Sequence, residues 1–212
     1  MTAQIGDIYK YRDKKYHLVA MSAGMPFDPR QHGLEAHASS TACYRGYWSE
    51  YAIDEDILVL KDLFLFNIDG NYPPLNGVEV SPQEFEDLTV YKGGFHKPQT
   101  LSRPAHLGHR VYRDVDMLIP YTGRILLGDG FLKEYYIHMG FQRAWAYKKL
   151  LEFVFEEGIL VGCNDLSHYA ESARRAMNEW NYDPSHPEGN TPHFVEDSFS
   201  LDYPDKVWWD QY

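Results

Sequence analysis

The stretch Thr41-Ala-Cys-Tyr-Arg-Gly-Tyr-Trp48 sets a thiol, a guanidinium and two phenols close together. Read as a strand, it turns Cys43, Arg45, Tyr47, Ser49 and Tyr51 to one side, because side chains alternate across the pleat. Arg45 and Tyr47 would then line a polar groove able to receive a ligand, and Arg124 is grouped with them as a candidate ligand contact. Cys43 could serve as a nucleophile if a histidine raised its thiolate fraction. The plain alternative is a small core residue among aromatics.

A second cluster runs from Gly128 to Gly140 and contains Glu134 and His138. On one helical turn, or on one face of a strand, the carboxylate could orient the imidazole as the base of a hydrolytic site. The alternative is a histidine whose ring nitrogens are satisfied locally. A third cluster is His106-Leu-Gly-His109 with His96 upstream; three imidazoles could ligate zinc if the loop folded back. No carboxylate or cysteine in that segment completes the set, so no metal is assigned. No cofactor is called for either. Phosphate loops, dinucleotide fingerprints, nucleophile elbows and paired-histidine zinc helices are all missing, and each has a mechanical reason for its spacing. The sequence therefore leaves open whether the protein is an enzyme.

The elements that must position these residues are mostly strands. Asp7 to Tyr11 and Tyr16 to Met21 flank a polar turn, and Ala42 to Ile53 and Ile57 to Phe66 flank Asp54-Glu55-Asp56; both read as hairpins. The chain then repeats itself. Glu50-Tyr-Ala-Ile-Asp-Glu-Asp-Ile-Leu-Val59 aligns without a gap on Glu152-Phe-Val-Phe-Glu-Glu-Gly-Ile-Leu-Val161, with five of ten positions identical. The match favours a hairpin over Leu151 to Cys163, although a helix is open for residues 142–149 on periodicity alone. Two helices are expected. Ser81-Pro82-Gln83-Glu84 has the form of a capping box leading a short helix to Leu88. The other runs from Ser167 to Trp180, with Tyr169, Ala173, Ala176, Met177 and Trp180 on one face.

Two segments differ in charge. Lys92 to Arg113 holds five basic residues, three histidines and no acid, and reads as a long loop or arm. It could clamp a phosphate through charge-assisted bonds, or neutralise the protein's own acidic end. Asn181 to Tyr212 carries seven acids against one lysine, yet is too aromatic for a free tail. It is expected to pack on the domain.

Thr41-Ala-Cys-Tyr-Arg-Gly-Tyr47 and Tyr136-Ile-His-Met-Gly-Phe141 resemble stretches of a bacterial protein family with no assigned activity. The resemblance covers the body from Ile5 to Ser172 and departs at the basic arm and the tail. It implies a bacterial, cytoplasmic origin and carries over no functional residue.

The expected fold is α+β: a strand-rich, curved antiparallel sheet of hairpins, with a possible duplicated β unit and one or two packed helices. Residues 1–180 form a single domain with the basic arm 92–113 inside it, and 181–212 form the acidic tail. A net charge of -11 opposes a duplex nucleic acid partner and suits a basic protein partner. No apolar stretch approaches the ~20 residues that span a bilayer, and the N-terminus has no signal-peptide pattern, so a cytoplasmic protein without a membrane partner is expected. The first functional reading is an acidic protein-binding protein of the toxin-neutralising, immunity type. The alternatives are a small-molecule-binding protein or hydrolase with a polar groove around Arg45 and His138, and a self-associating structural component.

Overall fold

Each of three hairpins turns on two residues of positive φ: Arg12 and Asp13 (47° and 61°), Glu55 and Asp56 (46° and 66°), and Glu157 and Gly158 (48° and 83°). Left-handed geometry at both central residues matches the twist of the flanking strands and so sets their register. The computed structural model describes residues 2–82, 85–90, 99–104, 109–179 and 200–202, with 85–90 and 99–104 described as backbone strands only.

The first hairpin joins β1 (Ile8–Tyr11) to β2 (Lys14–Met21), and the second joins β3 (Tyr47–Asp54) to β4 (Ile57–Leu65). Short strands follow: β5 (Ser81–Pro82), β6 (Phe85–Val90), β7 (Gln99–Pro104), β8 (Arg110–Tyr112) and β9 (Met117–Leu118). Then come β10 (Gly123–Phe131), β11 (Tyr147–Glu156), β12 (Ile159–Asp165) and the helix α1 (Ser167–Glu179).

Seven strands close into a barrel in the order β12-β11-β10-β2-β1-β3-β4, with β4 meeting β12. The architecture is strand-rich α+β, but it is a closed barrel rather than the expected open curved sheet. Hairpins alone do not make it: β1 and β3 pair in parallel, Tyr9 opposite Tyr51, which brings the first two hairpins side by side. β8 and β9 extend the outer side of β4, β5 adds to β8, and β6 pairs with β7 alone.

The barrel interior holds the main core. Along β3 burial alternates, with Tyr47, Ser49, Tyr51 and Ile53 inward. They meet Tyr9, Leu18, Leu58, Leu60, Ile125, Leu127, Phe153 and Phe155 from the other strands. A second cluster lies outside the wall, where Val19, Ala20, Leu126 and Leu150 are covered by Ala144, Ala146, Tyr147 and Ala170. The helix α1 covers this outer face through Ala170, Ala173 and Met177. Ser167 donates to Asp165 at its start, and Arg174 donates to the carbonyls of Trp145 (2.9 Å) and Tyr147 (2.8 Å). The expected stripe is shifted by one residue at its start: Ala170 is buried while Tyr169 is exposed.

Three local expectations are corrected. The capping box at Ser81 opens no helix, because Ser81–Pro82 and Phe85–Val90 are strands and the Ser81 hydroxyl donates to the Val111 carbonyl at 3.1 Å. A cap contributes about 1 kcal/mol, too little to nucleate so short a helix against sheet pairing. Residues 142–149 form no helix; a 3-10 turn at Ala144–Ala146 leads directly into β11. The basic arm is not all loop, since Gln99–Pro104 and Arg110–Tyr112 are strands. Among the described residues, no helix is long and apolar enough to cross a membrane.

Candidate functional site

β1 runs antiparallel to β2 and parallel to β3. The residues just before β1, just before β3 and at the end of β2 therefore share one end of the barrel. Asp7, Arg45 and Met21 occupy these places. Asp7 is wholly buried, and its Oδ1 accepts from Arg45 Nη2 at 2.5 Å and from the Ser49 backbone N–H at 2.8 Å. Arg45 is 19% exposed. Its guanidinium lies 4.9 Å from the Tyr47 ring centroid and 6.0 Å from that of Phe141, and Nη1 sits 3.4 Å from Met25 Sδ. Burial alone would lower the Arg45 pKa; the Asp7 charge beside it outweighs this, and the net direction is upward.

Below this pair the interior is polar but poorly satisfied. Tyr9 and Tyr51 stack at 4.7 Å, and both phenols are pushed well above their ordinary pKa, first by burial. Tyr47, whose hydroxyl donates to the Phe27 carbonyl at 3.3 Å, is pushed up to about 12 by burial. Asp7 Oδ2, Arg45 Nε and the Tyr9 hydroxyl have no hydrogen-bond partner among the described residues. The Ser49 and Tyr51 hydroxyls approach closely enough to interact but do not complete a hydrogen bond. Such atoms cost on the order of 1–3 kcal/mol each when buried, so their grouping marks a place where the sequence has accepted instability.

Above the pair lies a pocket of about 550 Å³ with largely apolar walls, to which Met21, Met25, Tyr44, Phe141 and Leu201 contribute and in which Arg45 is the cation and Asp202 the acid. One wall comes from far along the chain: the Met21 N–H donates to the Leu201 carbonyl at 2.7 Å, and Met21 bridges to Asp202 in parallel.

The other candidates lie elsewhere. Cys43 is buried, its thiol directed at the Tyr47 carbonyl (3.8 Å), and burial raises its pKa, which opposes thiolate formation. Both cysteines are free thiols, Cys43 inside and Cys163 exposed. Glu134 sits on an exposed 3-10 turn, and His138 is exposed with its ring edge against Tyr136 at 5.0 Å; no hydrogen bond joins them among the described residues. Arg124 lies along β10 with Nη1 4.0 Å from Glu152 and does not line the mouth. His109 is buried against Trp48, its Nε2 2.8 Å from Ser39 Oγ, while His96 and His106 lie outside the described residues.

Strand parity anticipated the shared inward face of Tyr47, Ser49 and Tyr51, but not the placing of Cys43 and Arg45: the strand expected from Ala42 begins only at Tyr47, and both residues lie in the turn before it, where Gly46 has φ 78°. It gave no sign of Asp7, Met21, Met25, Phe141 or Leu201, which reach the mouth only through barrel closure. A second set also escaped notice: Glu35, His37 and Asp69 bring one potential metal-ligand atom each within 4.8 Å of the others. The His37 N–H donates to the Phe66 carbonyl at 2.8 Å, which draws two distant loops together. His37 Nδ1 faces the Ile68 N–H at 3.4 Å, an arrangement that leaves the ring proton on Nε2 and disfavours that nitrogen as a ligand.

The fold and site together define a closed β-barrel with a cation-floored pocket at one mouth. Comparison of the chain with family models, curated proteins and solved structures found no match.

Proposed function

We propose that this is a binding protein whose barrel mouth takes a small molecule with an apolar body and one carboxylate or carbonyl group received by Arg45. The observation that carries this reading is the buried Asp7–Arg45 pair at the base of a pocket of about 550 Å³. Desolvating two charges costs several kcal/mol per ion unless the geometry is very good. A guanidinium held by Asp7 and flanked by aromatic rings is oriented before any ligand arrives, which lowers the entropy lost on binding. Binding is favoured over hydrolysis because Glu134 and His138 lie apart on the surface and Cys43 points its thiol into backbone.

The test is a fluorescence titration with anilinonaphthalene sulfonate, an apolar body carrying one anion. Saturable binding at one site is expected, weakened about tenfold or more, or roughly 1.4 kcal/mol, by Leu201→Trp, which fills the pocket without touching the ion pair. Ile68→Trp, on an exposed site elsewhere, should leave binding unchanged. Equal affinity in both variants and the parent, or no saturable binding at all, removes the proposal.

A further inference from the structure

The pocket at the barrel mouth carries charges of both signs, which narrows what it can take. Among the described residues the charged side chains lining it are Arg45 and Asp202. Gln4 and Ser200, which also line it, are committed to the fold. Gln4 donates to the Thr2 and Thr41 carbonyls and accepts from the Tyr44 N–H, and the Ser200 hydroxyl donates to Asp202 Oδ2 at 2.8 Å.

Arg45 is held by Asp7 through Nη2, while Nη1 meets only the Met25 thioether, a weak acceptor, among the described residues. Nη1 is therefore the donor left for a ligand carboxylate. Asp202 is exposed, and its backbone N–H donates to Ser200 Oγ at 3.0 Å, which together with the hydroxyl bond fixes the carboxylate at the pocket. No cation pairs with it among the described residues. Asp7 already cancels the Arg45 charge, so with Asp202 the mouth carries one net negative charge. A ligand that is only an anion would double that charge, in a chain whose total is already -11. A ligand that brings an ammonium with its carboxylate meets both wall charges and adds none.

From this we infer that the mouth takes a small zwitterion, an amino acid with an apolar body, its carboxylate on Arg45 and its ammonium on Asp202. The inference rests on the mouth being a binding site and names the ligand class for that site. The apolar body lies against Met21, Met25, Phe141 and Leu201. Thioether side chains adapt to differing shapes, and a volume of about 550 Å³ suits a small molecule. Opposite charges at two points of an apolar wall also fix the ligand's orientation, which a lone guanidinium does not.

Competition against anilinonaphthalene sulfonate tests this with two matched pairs: phenylalanine with 3-phenylpropanoate, and 8-aminooctanoate with octanoate. Each pair differs only in the ammonium, and the pairs differ in how far it stands from the carboxylate. In at least one pair the amino acid should displace the dye at lower concentration than its deaminated counterpart, although the latter is the more apolar. Asp202→Asn keeps an acceptor for the Ser200 hydroxyl and should lower that preference about fivefold or more, or about 1 kcal/mol for an exposed ion pair. The same variant should bind the dye at least as tightly, since a like charge is gone. Asp202→Ser is a second variant should Asp202→Asn not fold. Deaminated acids preferred in both pairs, or a preference unchanged in a folded variant, overturn the inference while dye binding still marks the mouth as a binding site. Absence of saturable dye binding removes the binding reading itself, and the inference with it.

Discussion

Ile57 and Ile159 face each other across the barrel's closing seam, and they are equivalent positions of the internal repeat. The two flanking hydrogen bonds exchange when one hairpin is laid on the other: Leu58 to Gly158 becomes Leu160 to Asp56. The two hairpins thus meet about a local pseudo-twofold axis, tip against tip. Each tip supplies the acceptor that the other's strand start requires, so the two hairpins close the barrel through equivalent hydrogen bonds.

The repeat differs at one turn residue, and the difference should be asymmetric in energy. Asp56 and Gly158 are equivalent and both have positive φ, 66° and 83°. Asp56→Gly relieves a left-handed L residue and should stabilise the protein by about 0.5–1 kcal/mol. Gly158→Asp should destabilise by about 2 kcal/mol or more, because a Cβ there collides with the Ile119 carbonyl oxygen. Urea denaturation midpoints of the two variants measure both effects, and opposite signs are expected.

Breaking the buried pair on one side should cost more than removing it whole. Arg45→Met removes the only ion-pair partner of the wholly buried Asp7 among the described residues and leaves it the Ser49 N–H, a change of about 3–5 kcal/mol. Adding Asp7→Asn should recover part of that loss. A double-mutant cycle by chemical denaturation checks this; simple additivity would mean that the two groups do not act as a pair.

Alkaline pH should unfold the protein cooperatively. Burial raises the phenols of Tyr9, Tyr47 and Tyr51 above the ordinary 10.0, with Tyr47 at about 12. A raised folded-state pKa means that the unfolded chain loses its phenol protons first. Stability is therefore complete below pH ~10 and declines from there toward pH ~12 and beyond, by up to about 1.4 kcal/mol per pH unit for each phenol. Tyr51→Phe removes one such phenol and a hydroxyl without a completed hydrogen bond. It should shift the alkaline midpoint upward while costing little at neutral pH. Phenolate absorbance and circular dichroism followed together against pH test this.

The helix should loosen when its Arg174 anchor is lost. Arg174 donates to the Trp145 and Tyr147 carbonyls from the packed side of α1. Arg174→Met should cost about 1.5–3 kcal/mol, the scale of hydrogen bonds to a charged group. Faster amide exchange should appear in α1 and at Leu150, whose N–H is held by Ser167 Oγ at 3.0 Å.

The two thiols should react in strict order. Cys163 is exposed and Cys43 is buried with a raised pKa. Under native conditions a maleimide should modify Cys163 alone, and Cys43 only as the barrel unfolds. Mass spectrometry of tryptic peptides reads the order, and early labelling of Cys43 would contradict its burial.

Much of the barrel was legible in linear form because its units are local. Period-two burial in Tyr47–Asp54, acidic two-residue turns and the repeat of Glu50–Val59 in Glu152–Val161 all lie within short windows, where side-chain alternation and turn chemistry act alone. Helix α1 was legible for the same reason. The capping box at Ser81 misled because a cap is a weak local preference, and sheet pairing with Val111 and Arg110 overrode it.

Closure was not legible, and the site depends on closure. Whether hairpins lie open or wrap is decided by the parallel pairing of Tyr9 with Tyr51 and by the single contact of Ile57 with Ile159. Both join residues far apart in the chain, and no local propensity encodes them. Asp7 could be recognised as the partner of Arg45 only once those pairings existed, as could Leu201 as a wall of the pocket. The sequence by itself determined the hairpins, the repeat and the acidic charge, because these are properties of neighbouring residues. Tertiary structure alone decided the mouth and the seam, because there the free energy comes from surfaces that meet only when the sheet returns upon itself.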